Sequence, residues 1–298
     1  MPPFRSFYFW AIFFGMALWA EGEPLLVIID TGVSASQVTE AGSPLGKAFA
    51  KVDGKSLSWD FVESSSEFAD ENGHGTHVSG IVWRELLSRS PGQPPGLVML
   101  RTGRDRLQVD RLIQSLERIQ EMKQSGHTVP VILCSFALTR IDAGHEKFDR
   151  FAGMLWDLLD SGTIVVAATD GKSRDLDQLG EADIFLPGCL DHPNLLTITA
   201  CSKDGFLAPR ASFGRERVFA AAHGTRVTSL WLEGQTKQLS GSSQAAALVV
   251  AEVFYCLTRA EAPASPESLR TVISKRGRLH PSLLGKTASQ RFFSASHP

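Results

Sequence analysis

Apolar positions along the chain fall into two alternating kinds of segment. Short unbroken runs have the length and continuity of strands buried on both faces: Leu25-Leu26-Val27-Ile28-Ile29, Leu97-Val98-Met99-Leu100, Val129 to Phe136, Thr163 to Ala168, Leu195 to Ala200 and Arg217 to Ala221. Between several of them lie longer stretches in which apolar residues recur every three or four positions. Leu107 to Lys123 carries Leu112, Ile113, Leu116, Ile119 and Met122 on one stripe, and Phe148 to Leu159 carries Phe151, Leu155, Leu158 and Leu159. That spacing predicts amphipathic helices. A further helix is expected over Leu248 to Phe254, and another from Ser265-Pro266, where serine caps and proline takes the first helical position. This βαβα alternation predicts an α/β fold: a mostly parallel central sheet between two helical layers, a three-layer αβα arrangement.

Three polar clusters interrupt this pattern at places where chemistry can sit. Asp30-Thr31-Gly32 ends the first apolar run and so puts an acid at the carboxyl end of a buried strand, where α/β proteins place their sites. The run Asp70-Glu71-Asn72-Gly73-His74-Gly75-Thr76-His77-Val78-Ser79-Gly80 opens an apolar helical stretch with two histidines three residues apart. Its glycines let backbone and substrate approach the first imidazole, which titrates near neutrality and so suits a general base. His77 reads as a structural, helix-borne histidine rather than a metal ligand. Leu239-Ser240-Gly241-Ser242-Ser243-Gln244-Ala245 is a small-residue turn into the next helix. A serine there sits where free N–H groups and the helix dipole stabilise negative charge. Together these predict nucleophilic acyl transfer, with Ser243 attacking, His74 taking the proton and Asp30 holding the imidazole.

The order acid, histidine, serine, with these surroundings, resembles the subtilisin-like (S8) serine peptidases over roughly residues 25–275. Asp30-Thr31-Gly32-Val33 matches the family's Asp-Thr/Ser-Gly-Val/Ile, and Trp59-Asp60-Phe61-Val62 followed by Asp70 to Gly80 matches the approach to its histidine. Gly241-Ser242-Ser243-Gln244-Ala245 corresponds to Gly-Thr-Ser-Met-Ala, which makes Ser243 the nucleophile position. Val131-Ile132-Leu133-Cys134-Ser135 resembles the strand into the S1-pocket serine. Ala211-Ser212-Phe213-Gly214 and Ala222-His223-Gly224 resemble two further family turns. The resemblance implies a subtilisin-like fold, a serine endopeptidase acting on polypeptides, and the catalytic residues Asp30, His74 and Ser243. It further implies substrate contacts at Ser135, Phe136, Ala137 and Gly103, and an oxyanion hole made by Ser243 and Asp170. Asp170 stands in Ala167-Ala168-Thr169-Asp170-Gly171, where the family has asparagine, with Gly171 as an alternative occupant. An ionised Asp170 repels an oxyanion whereas a protonated one donates to it, so a slow or acid-shifted peptidase is expected. The alternative is a catalytically impaired subtilase fold that binds peptides. Ser135-Phe136-Ala137-Leu138 lacks the family's paired glycines, which narrows the expected pocket. Arg101, Arg104 and Arg106 near Gly103 read as a solvated basic loop, with an acidic substrate preference as the other reading.

The remaining features bound this picture. The chain has 298 residues and a formal net charge of -2, with no basic block of the kind that binds nucleic acid. Arg5 precedes an apolar, aromatic run from Phe7 to Trp19, and Ala20 offers a small residue for cleavage, so residues 1–20 read as a signal peptide. Its removal would leave residues 21–298 as one peptidase domain without a recognisable propeptide, secreted or periplasmic, with no stable membrane anchor. No cofactor or metal is expected; no Asp-rich loop marks calcium, which the sequence leaves open, as it does the oligomeric state. Of the four cysteines, Cys134 and Cys256 read as buried thiols, while Cys189 and Cys201 bracket a strand and are candidates to pair. A second Asp-Ser-Gly, Asp160-Ser161-Gly162, raises the rival of an aspartic peptidase. A helix stop at Gly162 explains it more simply.

Overall fold

Strand β1 (Leu25–Asp30) is buried along its whole length because its alternate side chains enter two different cores. Leu26 and Ile28 pack with Val78, Ile81 and Ala246 on one face, and Val27 and Ile29 pack with Leu112, Leu116, Phe151 and Leu155 on the other. The structure, a computed structural model, describes residues 23–38, 45–90, 96–258 and 265–295, so the expected signal segment lies outside the described residues.

Among the described residues the main sheet has nine strands. After β1 come β2 (Trp59–Asp60), β3 (Gly96–Arg101), β4 (Val131–Cys134), β5 (Ile164–Ala168), β6 (Leu195–Cys201), β7 (Ala220–His223), β8 (Arg278–Leu279) and β9 (Arg291–Phe293). Their order across the sheet is β8-β9-β7-β6-β5-β4-β1-β3-β2. Every neighbouring pair is parallel except β8 with β9 at the edge. Helices α1 (His74–Arg89) and α4 (Ser242–Leu257) cover one face, while α2 (Val109–Gln124) and α3 (His145–Asp160) cover the other. This is the three-layer αβα arrangement that the alternation of runs and stripes predicts.

Helix α5 (Pro266–Arg276) joins the first layer through buried Leu269 and Ile273. Ser265 and Ser268 cap it reciprocally, each side chain accepting from the other's backbone N–H.

The chain departs from its sequence pattern at three places. The strand expected from Arg217 starts instead at Ala220, because the amides of Glu216 and Arg217 donate to the Asp177 carboxylate and that of Val218 to Gly214 O. Leu107 stays outside α2 and bridges back to Gly103. Cys189 and Cys201 do not pair: all four cysteines are free and buried. Cys189 sits among Leu176, Phe185 and Val218, while Cys201 faces Ala221, Leu283 and Phe292, so the two thiols belong to separate clusters. Burial pushes the Cys201 thiol up to about 12.

Strand β1 lies between β3 and β4, and the chain builds out to β2 and β3 on one side before crossing to β4 on the other. A crevice opens at the carboxyl ends of strands at such a switch point. Asp30, Ser135 and Thr169 leave the sheet at or just beyond that end, from β1, β4 and β5.

Candidate active site

His74 is the first residue of α1, and the local sequence fixes it there. One Asp70 oxygen accepts the amides of Asn72 and Gly73, and the other accepts the Thr76 amide and hydroxyl. Gly73 turns the chain at φ 95°, and a Cβ there would lie 2.5 Å from the Trp231 ring. Gly75 lets the helix start press on the β1 turn: its amide donates to Thr31 Oγ1 at 2.9 Å, and a Cβ would come within 2.2 Å of Gly32 O. The result brings the His74 Nδ1 to 2.7 Å from Asp30 Oδ1.

Asp30 is only 1% exposed, and the same oxygen accepts the Thr31 amide at 2.8 Å. With Nδ1–H donated to Asp30, His74 Nε2 is left as the basic nitrogen. Burial pulls the His74 pKa down, but the charge and hydrogen bond of Asp30, with the charge of Asp70, outweigh it and hold it above the ordinary value. Behind Asp30, buried Arg101 bonds Asp60 at 2.6 Å and Thr31 O at 3.1 Å, which braces the β1 turn.

Ser243 is the second residue of α4, among the first-turn amides that have no acceptor within the helix. Its hydroxyl donates to Ser135 O at 3.2 Å, and the Ser135 hydroxyl donates to Ser243 O at 3.4 Å. Ser242 Oγ donates to Thr169 O at 2.6 Å, which ties the serine turn to the end of β5. His74, Ser135, Phe136, Ala137, Asp170 and Ser243 line one cavity of about 930 Å³. Among the described residues no hydrogen bond joins Ser243 to His74. Gly103 lies outside that lining; it closes a tight turn, where a Cβ would meet Arg106 O at 2.0 Å.

Asp170 sits on the cavity wall, but both its oxygens are occupied. One accepts from Ser212 Oγ at 2.6 Å and the other from Arg174 Nε at 2.8 Å, with Arg174 Nη2 in ion-pair contact at 2.7 Å. As placed, this side chain accepts and does not donate. The sequence leaves open an ionised acid that repels the oxyanion and a protonated one that donates; here a guanidinium and a hydroxyl engage both oxygens. In the basic loop Arg101 pairs with Asp60 and Arg104 with Glu63 and Glu71, while Arg106 is exposed. Asp160, the rival's second acid, ends α3 and bonds His192 at 3.0 Å. His77 is buried, with Nε2 shared between Val227 O and Lys237 O.

The subtilase family profile matches residues 22–277. The chain belongs to the subtilase family. Over 279 residues this subtilase is 22% identical to a cuticle-degrading serine protease of Orbilia oligospora, a match covering 91% of the chain and 59% of that relative. It is 23% identical over 192 residues to subtilisin-like protease 2 of Plasmodium falciparum, covering 59% of this subtilase and 13% of the relative. It thus spans well under two thirds of the length of these curated relatives. Its fold superposes on a cold adapted subtilisin-like serine proteinase with a TM-score of 0.69 at 19% identity, covering 92% of this chain and 89% of that one. The epidermin leader peptide processing serine protease of Staphylococcus aureus gives 0.70 at 16% identity, covering 93% and 75%. At such identities the likeness speaks for the fold. Among the described residues of the subtilase, no group of three His, Cys, Asp or Glu side chains is placed to hold a metal, and no helix is long and apolar enough to cross a membrane.

Sequence reading missed Arg174 and Ser212, the partners of Asp170. The signal it had was the charge on Arg174, four residues beyond the acid, but nothing in the pattern says which way either side chain turns.

Proposed function

We propose that this subtilase is a serine endopeptidase acting on polypeptides. Ser243 attacks the peptide carbonyl, His74 takes its proton and returns it to the leaving amine, and Asp30 orients the imidazole and stabilises its charged form. The observation that carries this reading is the 2.7 Å contact between His74 and Asp30 on the wall of the cavity that also holds Ser243. The bond from Ser243 to Ser135 O is a resting arrangement. Rotation about the Cα–Cβ bond redirects the hydroxyl, and catalytic hydrogen bonds commonly tighten only when substrate is bound.

The oxyanion forms beside Ser243, whose N–H is one donor. Asp170, proposed from the sequence as the second, supplies no hydrogen while Arg174 and Ser212 hold it. Loss of one such donor costs about 10²–10³ in rate, which supports a slow enzyme. The same observation favours a second reading, a subtilase fold that binds peptides without turning them over. Export to the periplasm or the exterior rests on the apolar run from Phe7 to Trp19.

Expressed from Glu21, the protein is expected to cleave unfolded casein and to take one fluorophosphonate label, read by intact mass. Ser243→Ala should abolish the label; a label that persists assigns the nucleophile elsewhere. Absence of any adduct across the pH range selects the binding reading.

A further inference from the structure

We infer that the cavity beside Ser243 selects a carboxylate side chain on a residue flanking the scissile bond, through Lys172 and Arg210. The inference rests on the peptidase reading above and names its substrate class. Three hydrogen bonds stitch segment 171–173 to segment 209–210 along the rim. Arg210 Nε donates to Gly171 O at 3.1 Å, Ser173 Oγ to Pro209 O at 2.6 Å, and the Ser173 amide to Arg210 O at 3.3 Å. That stitching holds both cations in the lining of one cavity.

The charges of the lining do not cancel. Asp170 is its one carboxylate, and that charge is already matched by Arg174, itself shared with Asp183 at 2.9 Å. Neither Lys172 nor Arg210 forms an ion pair among the described residues, and His74 is neutral when it acts as base. Of the three arginines that read as a solvated loop, with an acidic preference as the other reading, Arg101 and Arg104 pair with Asp60, Glu63 and Glu71, and Arg106 lies outside the cavity lining. The uncompensated charge on the lining itself is therefore positive, the Asp30 carboxylate being buried behind His74, and it lies within the cavity that receives the residues around the cleaved bond. An acidic side chain there gains an attraction that its amide isostere lacks, and a basic one is repelled. Both cations are solvent-exposed, so the gain is modest and screened by salt.

The test uses peptides identical except for Glu, Gln or Lys on either side of a central bond. Hydrolysis is expected in the order Glu, Gln, Lys, with kcat/KM roughly two- to fivefold higher for Glu than for Gln at low salt and converging at high salt. Lys172→Glu, a change at an exposed position, should lower the Glu to Gln ratio, and adding Arg210→Gln should abolish it. Equal turnover of the Glu and Gln peptides, or a ratio indifferent to both substitutions, overturns the selection and leaves the peptidase reading intact. If no peptide is cleaved, the peptidase reading falls while the selection is still measured. Calorimetric binding of the same peptides to the Ser243→Ala protein should favour Glu, and equal affinities overturn it.

Discussion

At the scale of single residues, two acids decide how the site should respond to pH. The His74 imidazole feels burial, which alone would lower its pKa, and the stronger opposing pull of Asp30 and Asp70. A base works in its neutral form, so acylation is lost as pH falls through this raised value. The ascending limb of the rate should therefore lie above the ordinary imidazole value of about 6.5. That is opposite in direction to the acid shift expected from a protonated Asp170. Phosphonylation of Ser243 by a fluorophosphonate, which displaces fluoride and needs the same base, read against pH tests it directly. Asp170→Asn should leave that limb in place, because His74 sets it. The amide can serve the same partners, its oxygen facing Arg174 and its nitrogen facing Ser212 Oγ, so the rate should rise by less than the ~10²-fold worth of an oxyanion donor. A full gain of that size would mean that the side chain turns into the cavity. Asp30, His74 and Ser243 were legible because each carries its own small-residue surround in the sequence. The setting of Asp170 was not, because Ser212 reaches it from 42 positions away.

Among elements, the start of α1 shows how closely the site depends on one contact between backbones. Gly75→Ala raises helix propensity, yet its Cβ would stand 2.2 Å from Gly32 O and 2.8 Å from Gly32 N. The helix and the β1 turn must move apart, and Asp30 moves from His74 with them. The expected loss is about 1–3 kcal/mol in denaturant stability, together with a larger fall in labelling rate. Unchanged labelling would show that the helix start shifts without disturbing the pair. The strands and stripes were readable because burial on two faces, or on one, leaves a period in the sequence. The start of β7 was not, since Asp177 captures the amides that would have extended it. The hairpin of Val227–Leu230 with Thr236–Leu239 was equally hidden, because much of its outer strand is polar and exposed. It nevertheless links the two site helices: Trp231 packs on Gly73, Ser229 Oγ donates to His77 O at 2.8 Å, and the chain then runs directly into the serine turn.

For the whole molecule, the first helical layer is pinned by a charge cluster. Arg89 bonds Glu85 and Glu252, each at 2.8 Å, and Arg276 bonds Glu252 at 2.6 Å, so α1, α4 and α5 share one network. Burial pushes the Glu252 pKa up, but Arg276 and Arg89 outweigh it and hold the carboxyl below its ordinary 4.5. Its contribution to stability is therefore full above that ordinary value and is lost as pH falls through the lower folded value. Glu252→Gln leaves the largely buried Arg89 and the exposed Arg276 with less charge to face, and should cost about 1–3 kcal/mol at neutral pH while flattening the acid limb of a melting profile. A melting curve that matches the parent at neutral pH would assign the cluster no net role. The central place of β1 has a consequence in time. Its two neighbours are made only after it, and the serine that completes the site arrives on α4, after β7. Parallel, non-local pairing of this kind is slow to form. On the proposed function, a folding molecule exposes cleavable chain before it owns an assembled nucleophile, so it cannot cut itself. Damage must come from a copy that has already folded, and its rate should rise with the square of protein concentration.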